Sequence, residues 1–202
     1  MPLRGTVNKK EMHRVLNARP TLQNQISALK AQVNRQKPET QYFRVSGSHS
    51  NTGGTIEQNN HLITSSLISS TNFRQNVTGD QWTNIALNLN MALLKECRGA
   101  RVILYVPKKA GTRFTPGSSQ LVAQVDPSSF WVIGDTYLNQ ASEANLSNHS
   151  RRFNLKKMKT IYDSNAANIE KGELVLTVIY YPRAAAVNTQ YSYGYELVYN
   201  NV

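Results

Sequence analysis

The sequence predicts an all-β protein, a closed barrel or two-sheet antiparallel sandwich, preceded by a short basic arm. Three observations carry this reading. Apolar residues recur at period two from residue 41 onward. Turn residues punctuate those runs with no helical pattern between them. Charged residues make up only 17% of a chain rich in Asn, Ser, Thr and Gln, whereas a solvated helical bundle needs more Glu, Lys and Leu. With 202 residues, one core plus an extension is the expected organisation.

The arm comes first. Residues 1–44 hold nine Lys or Arg against Glu11 and Glu39, a net +7 of the chain's +11, while residues 45–202 hold fourteen against ten acids. A short basic end on a nearly balanced body is the pattern of an interaction arm joined to a folded domain. The expected domains are therefore 1–40 and 41–202, with the boundary near Pro38 to Tyr42. Inside the arm, Leu22, Ile26, Leu29 and Val33 recur at the spacing of a coiled-coil seam, with Thr21 as candidate N-cap after Pro20. This predicts a helix near 21–36, which Pro38 stops. Two heptads are too few to be stable alone, so the seam needs a partner: the chain's own domain, other copies or nucleic acid.

The strands follow. Ile85, Leu87, Leu89, Met91 and Leu93 alternate with Asn84, Ala86, Asn88, Asn90 and Ala92, and Tyr191, Tyr193, Tyr195, Leu197 and Tyr199 alternate with smaller or polar residues. Both patterns read as half-buried strands. The runs Val102–Val106 and Leu174–Tyr181 are apolar on both faces, as in a sandwich centre or where a second surface is covered. Breakers at Gly53-Gly54, Gly79-Asp80, Gly99, Pro107 to Gly111, Pro116-Gly117, Asp126-Pro127, Ser164-Asn165, Gly172 and Pro182 separate these runs. Strands are expected near 41–47, 61–69, 82–94, 100–107, 119–125, 130–138, 151–162, 173–181 and 191–199. Eight or nine strands in this length point to a closed barrel or two-sheet sandwich rather than a βαβ protein.

Chemistry is sparse. No GxSxG elbow, GxxxxGK[ST] loop, HExxH or GxGxxG occurs, so no enzymatic activity is expected. His13, His49, His61 and His149 are scattered singly and read as surface or loop residues rather than metal ligands. Cys97, the single cysteine, permits no intrachain disulfide and reads as an inert core thiol. Glu57, Asp80, Asp126, Asp135 and Asp163 lie near turns, either as turn chemistry or as oxygen ligands for Ca²⁺ where subunits meet. Neither a ligand set nor a cofactor is assigned. The first residues carry Lys9, Lys10 and Arg14 but neither the apolar stretch nor the cleavage site of a secretory signal, and the N-glycosylation triplets at Asn76, Asn145 and Asn148 read as chance matches. The longest apolar runs fall short of the roughly 20 residues that span a bilayer, so no membrane insertion is expected.

Tyr42-Phe-Arg-Val, the Ser/Asn/Gly/Thr-rich stretch through Gly54-Thr55, and Asn72 to Trp82 leading into a strand resemble the opening of the single jelly-roll coat proteins of very small icosahedral viruses. The resemblance is to those similar to satellite tobacco necrosis virus in particular, and the coat proteins of circular single-stranded DNA viruses share these features. Arg74 stands five residues before Gly79, a looser spacing than the family's turn. Phe130 to Asn139, with its central Asp135, resembles a further family strand, as do Arg151 to Asp163 and Glu173 to Tyr181. The resemblance implies an eight-stranded antiparallel jelly roll, a homo-oligomeric shell of about sixty copies, and a virion protein that packages a single-stranded genome with an interior basic arm.

On that reading the nucleic-acid contacts are Arg4, Lys9, Lys10, Arg14, Arg19, Lys30, Arg35 and Lys37 in the arm, where cations bind phosphates without reading sequence. In the body, Arg152 and Lys156 belong to the densest basic cluster, with Arg151, Lys157 and Lys159. Alternation lets only some of these share a face, so the cluster is either a genome patch or a solvated edge that discourages strand pairing. Lys108, Lys109 and Arg113 are expected in solvent or at a subunit contact. Tyr191, Tyr193, Tyr195 and Tyr199 are expected in the core or an interface, with base stacking as the other use. The rivals are a cellular jelly-roll binding module, lectin-like or a cytokine-like trimer, and an architectural nucleic-acid-binding protein.

Overall fold

The computed structural model describes residues 22–35, 39–51, 55–70, 77, 79–94, 96–116, 121–140, 146–163, 168–183 and 189–201. The chain divides into two units, 1–38 and 39–202. In the first, α1 (Leu22–Arg35) contains no proline and no glycine, and its Leu22, Ile26 and Leu29 are exposed.

The second unit comprises β1 (Thr40–Asn51), β2 (Glu57–Leu62), α2 (Ile63–Ile68), β3 (Gln81–Leu93), β4 (Cys97–Pro107), β5 (Phe130–Asn139), β6 (Ser147–Asp163), β7 (Asn168–Lys171), β8 (Val175–Pro182) and β9 (Thr189–Asn201). The antiparallel pairs are nested: β1 with β9, β2 with β8, β3 with β6, and β4 with β5. Rolling such a long hairpin on itself, with β9 also against β3 and β8 against β4, gives sheets ordered β1-β9-β3-β6-β7 and β2-β8-β4-β5. This is a jelly roll of eight strands, with the four-residue β7 as a ninth at one sheet edge. β7 leads into Gly172, whose φ of +74° and 2.1 Å approach of a would-be Cβ to the Lys159 carbonyl require glycine.

Period two decides what lies between the sheets. Trp82, Leu87, Leu89, Met91 and Leu93 of β3 meet Ala100, Val102, Leu104 and Val106 of β4 and Leu176, Val178 and Tyr180 of β8 in one core. Tyr191, Tyr195 and Tyr199 belong to it, as core tyrosines rather than base platforms. Trp82 donates its indole N–H to Asn84 (3.0 Å), whose amide donates to Thr160 (2.7 Å), so the buried polar atoms there are mutually satisfied. Cys97 is fully buried, and burial pushes its thiol up to about 11, which keeps it protonated and unreactive.

The second apolar face of β4 and β8 is covered by the chain itself. Ile103, Tyr105, Phe130, Val175 and Ile179 pack with Phe114, Leu121, Ala123 and Val125 from the 108–129 connection. Arg101, 5% exposed, fastens that connection. Its guanidinium donates to both Asp135 oxygens (2.9 and 2.6 Å) and to the carbonyls of Leu121 (3.0 Å) and Ala123 (2.7 Å). Gln58 donates to the Phe114 carbonyl (2.7 Å), and the Phe114 N–H donates to the Tyr105 hydroxyl (3.0 Å).

Three expectations change. The strand expected at 119–125 is absent among its described residues, 121–125: Leu121, Ala123 and Val125 do alternate, but the carbonyls of Leu121 and Ala123 are taken by Arg101 rather than by a strand. The strand expected at 61–69 keeps only His61 and Leu62; α2 then buries Ile63, Thr64 and Leu67, a helical spacing, while β2 extends back through the polar Glu57–Asn60. The histidines are not all isolated: His61 is buried, its ring 5.2 Å from that of His49 and 4.2 Å from that of Tyr193, with Nε2 3.2 Å from the Tyr191 hydroxyl.

Burial, with the charge of His49 adding to it, lowers the His61 pKa to about 4 from 6.5. The native state therefore binds fewer protons than the unfolded chain, so this contribution is complete above pH 6.5 and is lost as pH falls towards 4. The expected loss is about 3 kcal/mol at most. Urea midpoints between pH 7 and pH 4 check this, and His61→Gln should flatten the slope over that interval; an unchanged slope contradicts the assignment.

Candidate nucleic-acid interface

The outer face of the five-stranded sheet follows from the same alternation. On β1, Phe43, Val45 and His49 turn inward, leaving Tyr42, Arg44, Ser46 and Ser48 outward. Register extends each position across four strands. Arg44 faces Glu196, Glu196 faces Asn88, and Asn88 faces Arg152. The next row is Ser46, Gly194, Asn90 and Ser150; the one beyond is Ser48, Ser192, Ala92 and Asn148.

These rows make a basic edge beside a smooth polar floor. Two adjoining shallow depressions share Asn90 and Gly194; the first also includes Ala92, Asn148 and Ser192, the second Arg44 and Glu196. Small hydroxyl and amide side chains let a sugar–phosphate backbone approach closely while offering donors to its oxygens, contacts that position without reading bases.

The predicted body residues are on this sheet. Arg152 lies on the outer face and is exposed. Lys156 sits in a bulge: Asn84 pairs with Met158 and Ala86 with Asn154, so one residue of β3 spans three of β6. Lys156 and Lys157 take positive φ (49° and 58°), and Asn154 Oδ1 accepts from the Lys156 N–H (2.9 Å). Both lysines are exposed, as is Lys159 opposite the outward Thr83. Arg151 is opposite Leu89, on the other parity from Arg152, so the cluster divides between faces as alternation requires.

Arg44 gives no signal in the sequence, because a single arginine in β1 has no basic neighbour there; it joins Arg152 only through strand order. Its Nε donates to Glu196 Oε2 (2.6 Å), and its guanidinium lies 5.9 Å from the Tyr42 ring centre. Asn88 donates to Glu196 Oε1 (2.9 Å). Hydrogen bonds from Arg44 and Asn88 hold the Glu196 carboxyl below its usual range.

Of the predicted arm contacts, Arg4, Lys9, Lys10, Arg14, Arg19 and Lys37 lie outside the described residues, as do His13 and Arg74; Lys30 and Arg35 belong to the α1 backbone. Elsewhere, Lys108 donates to the Pro127 carbonyl (2.7 Å) with its ammonium 5.7 Å from the Trp131 ring centre, and Arg113 makes a two-point ion pair with the buried Glu173 (2.7 and 2.9 Å). Three of the five carboxylates considered for Ca²⁺ have other roles: Asp135 binds Arg101, Glu57 accepts from the Tyr180 hydroxyl (2.8 Å), and Asp126 caps a turn through Ser128 and Ser129. Among the described residues no three His, Cys, Asp or Glu side chains gather as a metal site.

No protein-family model matches the chain, and no curated protein matches it. Solved structures overlap with it. A Desmodium yellow mottle tymovirus structure is 11% identical over 82% of this chain and 84% of its own, with a TM-score of 0.38. The structure titled as a 60-mer BFDV capsid protein is 9% identical over 80% and 93%, at 0.39. A turnip yellow mosaic virus structure is 12% identical over 82% of each chain, at 0.34. Each TM-score is below 0.5, so these likenesses assign neither a function nor an assembly to this chain.

Proposed function

We propose that this chain is the coat protein of a small icosahedral virus, assembling about sixty copies of itself into a closed shell that holds single-stranded nucleic acid. The observation that carries the reading is the sheet face just described. Across β1, β3, β6 and β9 the only carboxylates are Glu196 and the terminal Asp163, whereas Arg44 and Arg152 of the outer row, Lys159, and Lys156 and Lys157 of the bulge are all exposed. A basic arm of eight Lys and Arg leads in sequence into β1 of this same sheet. Cations so placed neutralise phosphates and release counterions irrespective of base sequence, which suits packaging.

Self-association has its own support on the other sheet. β5 is an edge strand with Trp131 55%, Val132 43% and Tyr137 49% exposed, and Val122 of the covering connection is 74% exposed. An apolar sheet edge in solvent is a site for association. A set of such contacts repeated around closed symmetry gives a finite shell. Sedimentation and electron microscopy of the purified chain test this: uniform closed particles are expected, and monomers or trimers persisting across salt and pH would overturn the reading in favour of a trimeric binding module.

A further inference from the structure

Within the proposed nucleic-acid face, on which this inference rests, one carboxylate occupies the centre of the basic row. Arg44, Glu196, Asn88 and Arg152 stand opposite one another on four successive strands. Donors converge on the two Glu196 oxygens: Arg44 Nε at 2.6 Å on one and Asn88 Nδ2 at 2.9 Å on the other. Arg152 adds attraction through space. Two oxygens held by one guanidinium N–H and one amide N–H, with a second arginine opposite, are donors that a phosphate can also take.

We infer that Arg44, Asn88 and Arg152 form a phosphate site which Glu196 fills in the free protein, so that a nucleic-acid backbone binds there by displacing the carboxylate. The Arg44 side chain is 74% exposed, so it can swing to an incoming phosphate without unpacking the core. An exposed pair of this kind is weak and is screened by salt, so a polyanion competes with it effectively. Glu196 thereby sets the affinity of the face: strong enough to occupy Arg44 when no nucleic acid is present, weak enough to yield when a strand arrives.

The test is the binding of fluorescein-labelled oligothymidylate to the full-length protein, followed by anisotropy across a sodium chloride series. Glu196→Gln keeps the shape and the Asn88 contact but frees Arg44. It is expected to tighten binding about three- to tenfold at fixed salt and to steepen the slope of log affinity against log salt by about 1, the increment of one or two further phosphates neutralised. The gain should vanish when Arg44→Ala and Arg152→Ala are added. Asp126→Asn, which removes a carboxylate on the β4–β5 connection, should give no comparable gain; an equal one would reduce the effect to net charge and overturn the inference. Tight wild-type binding with no change in Glu196→Gln overturns the gate alone, leaving the packaging function standing. Absence of binding in both proteins overturns the gate and the packaging function together, and binding by Glu196→Gln alone supports the gate in its strongest form.

Discussion

Replacing Arg101 by alanine is expected to lower the stability of the β-domain by about 3 kcal/mol, read as a shifted urea midpoint at unchanged slope. The side chain is 6% exposed and serves four acceptors at once. Its loss leaves Asp135 and the Ala123 carbonyl without that donor, while the Leu121 carbonyl keeps the Tyr137 hydroxyl, and breaking a buried pair costs about 3–5 kcal/mol when the remaining charge stays dry. The Asp135 side chain is 30% exposed and can be rehydrated, which places the expectation at the lower end. The 108–129 connection should also become cleavable by trypsin at Arg113. Arg44→Ala, which removes an exposed ion pair, should change stability by less than about 1 kcal/mol. Equal effects from the two substitutions would contradict the role given to Arg101.

A chain beginning at Glu39 should bind single-stranded nucleic acid far less tightly than the full chain. The missing segment contains Arg4, Lys9, Lys10, Arg14, Arg19, Lys30, Arg35 and Lys37. If each neutralises one phosphate, the slope of log affinity against log salt falls by about 5–6, since a single strand contributes about 0.7 per contact. Affinity near physiological salt should drop at least about a hundredfold. The residual slope then measures the sheet face alone, through Arg44, Arg152 and the lysines of the β6 bulge. An unchanged slope would remove the arm from the interface.

The sandwich was legible in sequence because burial imposes period two. Strands β3 and β9 announce themselves through alternating Leu and Tyr, and the doubly apolar β4 and β8 signal a second face that the 108–129 connection covers. The departures have two physical origins. Leu121, Ala123 and Val125 alternate because they cover a sheet, not because they belong to one, and nothing local distinguishes the two cases when the distinguishing partner is Arg101, twenty residues away. Glu57 to Asn60 form an edge strand whose polar side chains carry no apolar signal. The basic cluster of β6 was readable as charge, yet its division between faces depended on register and on the bulge at Lys156 and Lys157. Arg44, Glu196, Asn88 and Arg152 are scattered through the sequence, and only the nested strand order sets them in one row.

Purified full-length protein, treated with nuclease and then examined by electron microscopy with absorbance at 260 nm, tests packaging most directly. Closed particles of one size that retain protected nucleic acid are the predicted result, with empty or failed particles from the chain beginning at Glu39. Small oligomers that protect nothing, alike with and without the arm, would contradict it.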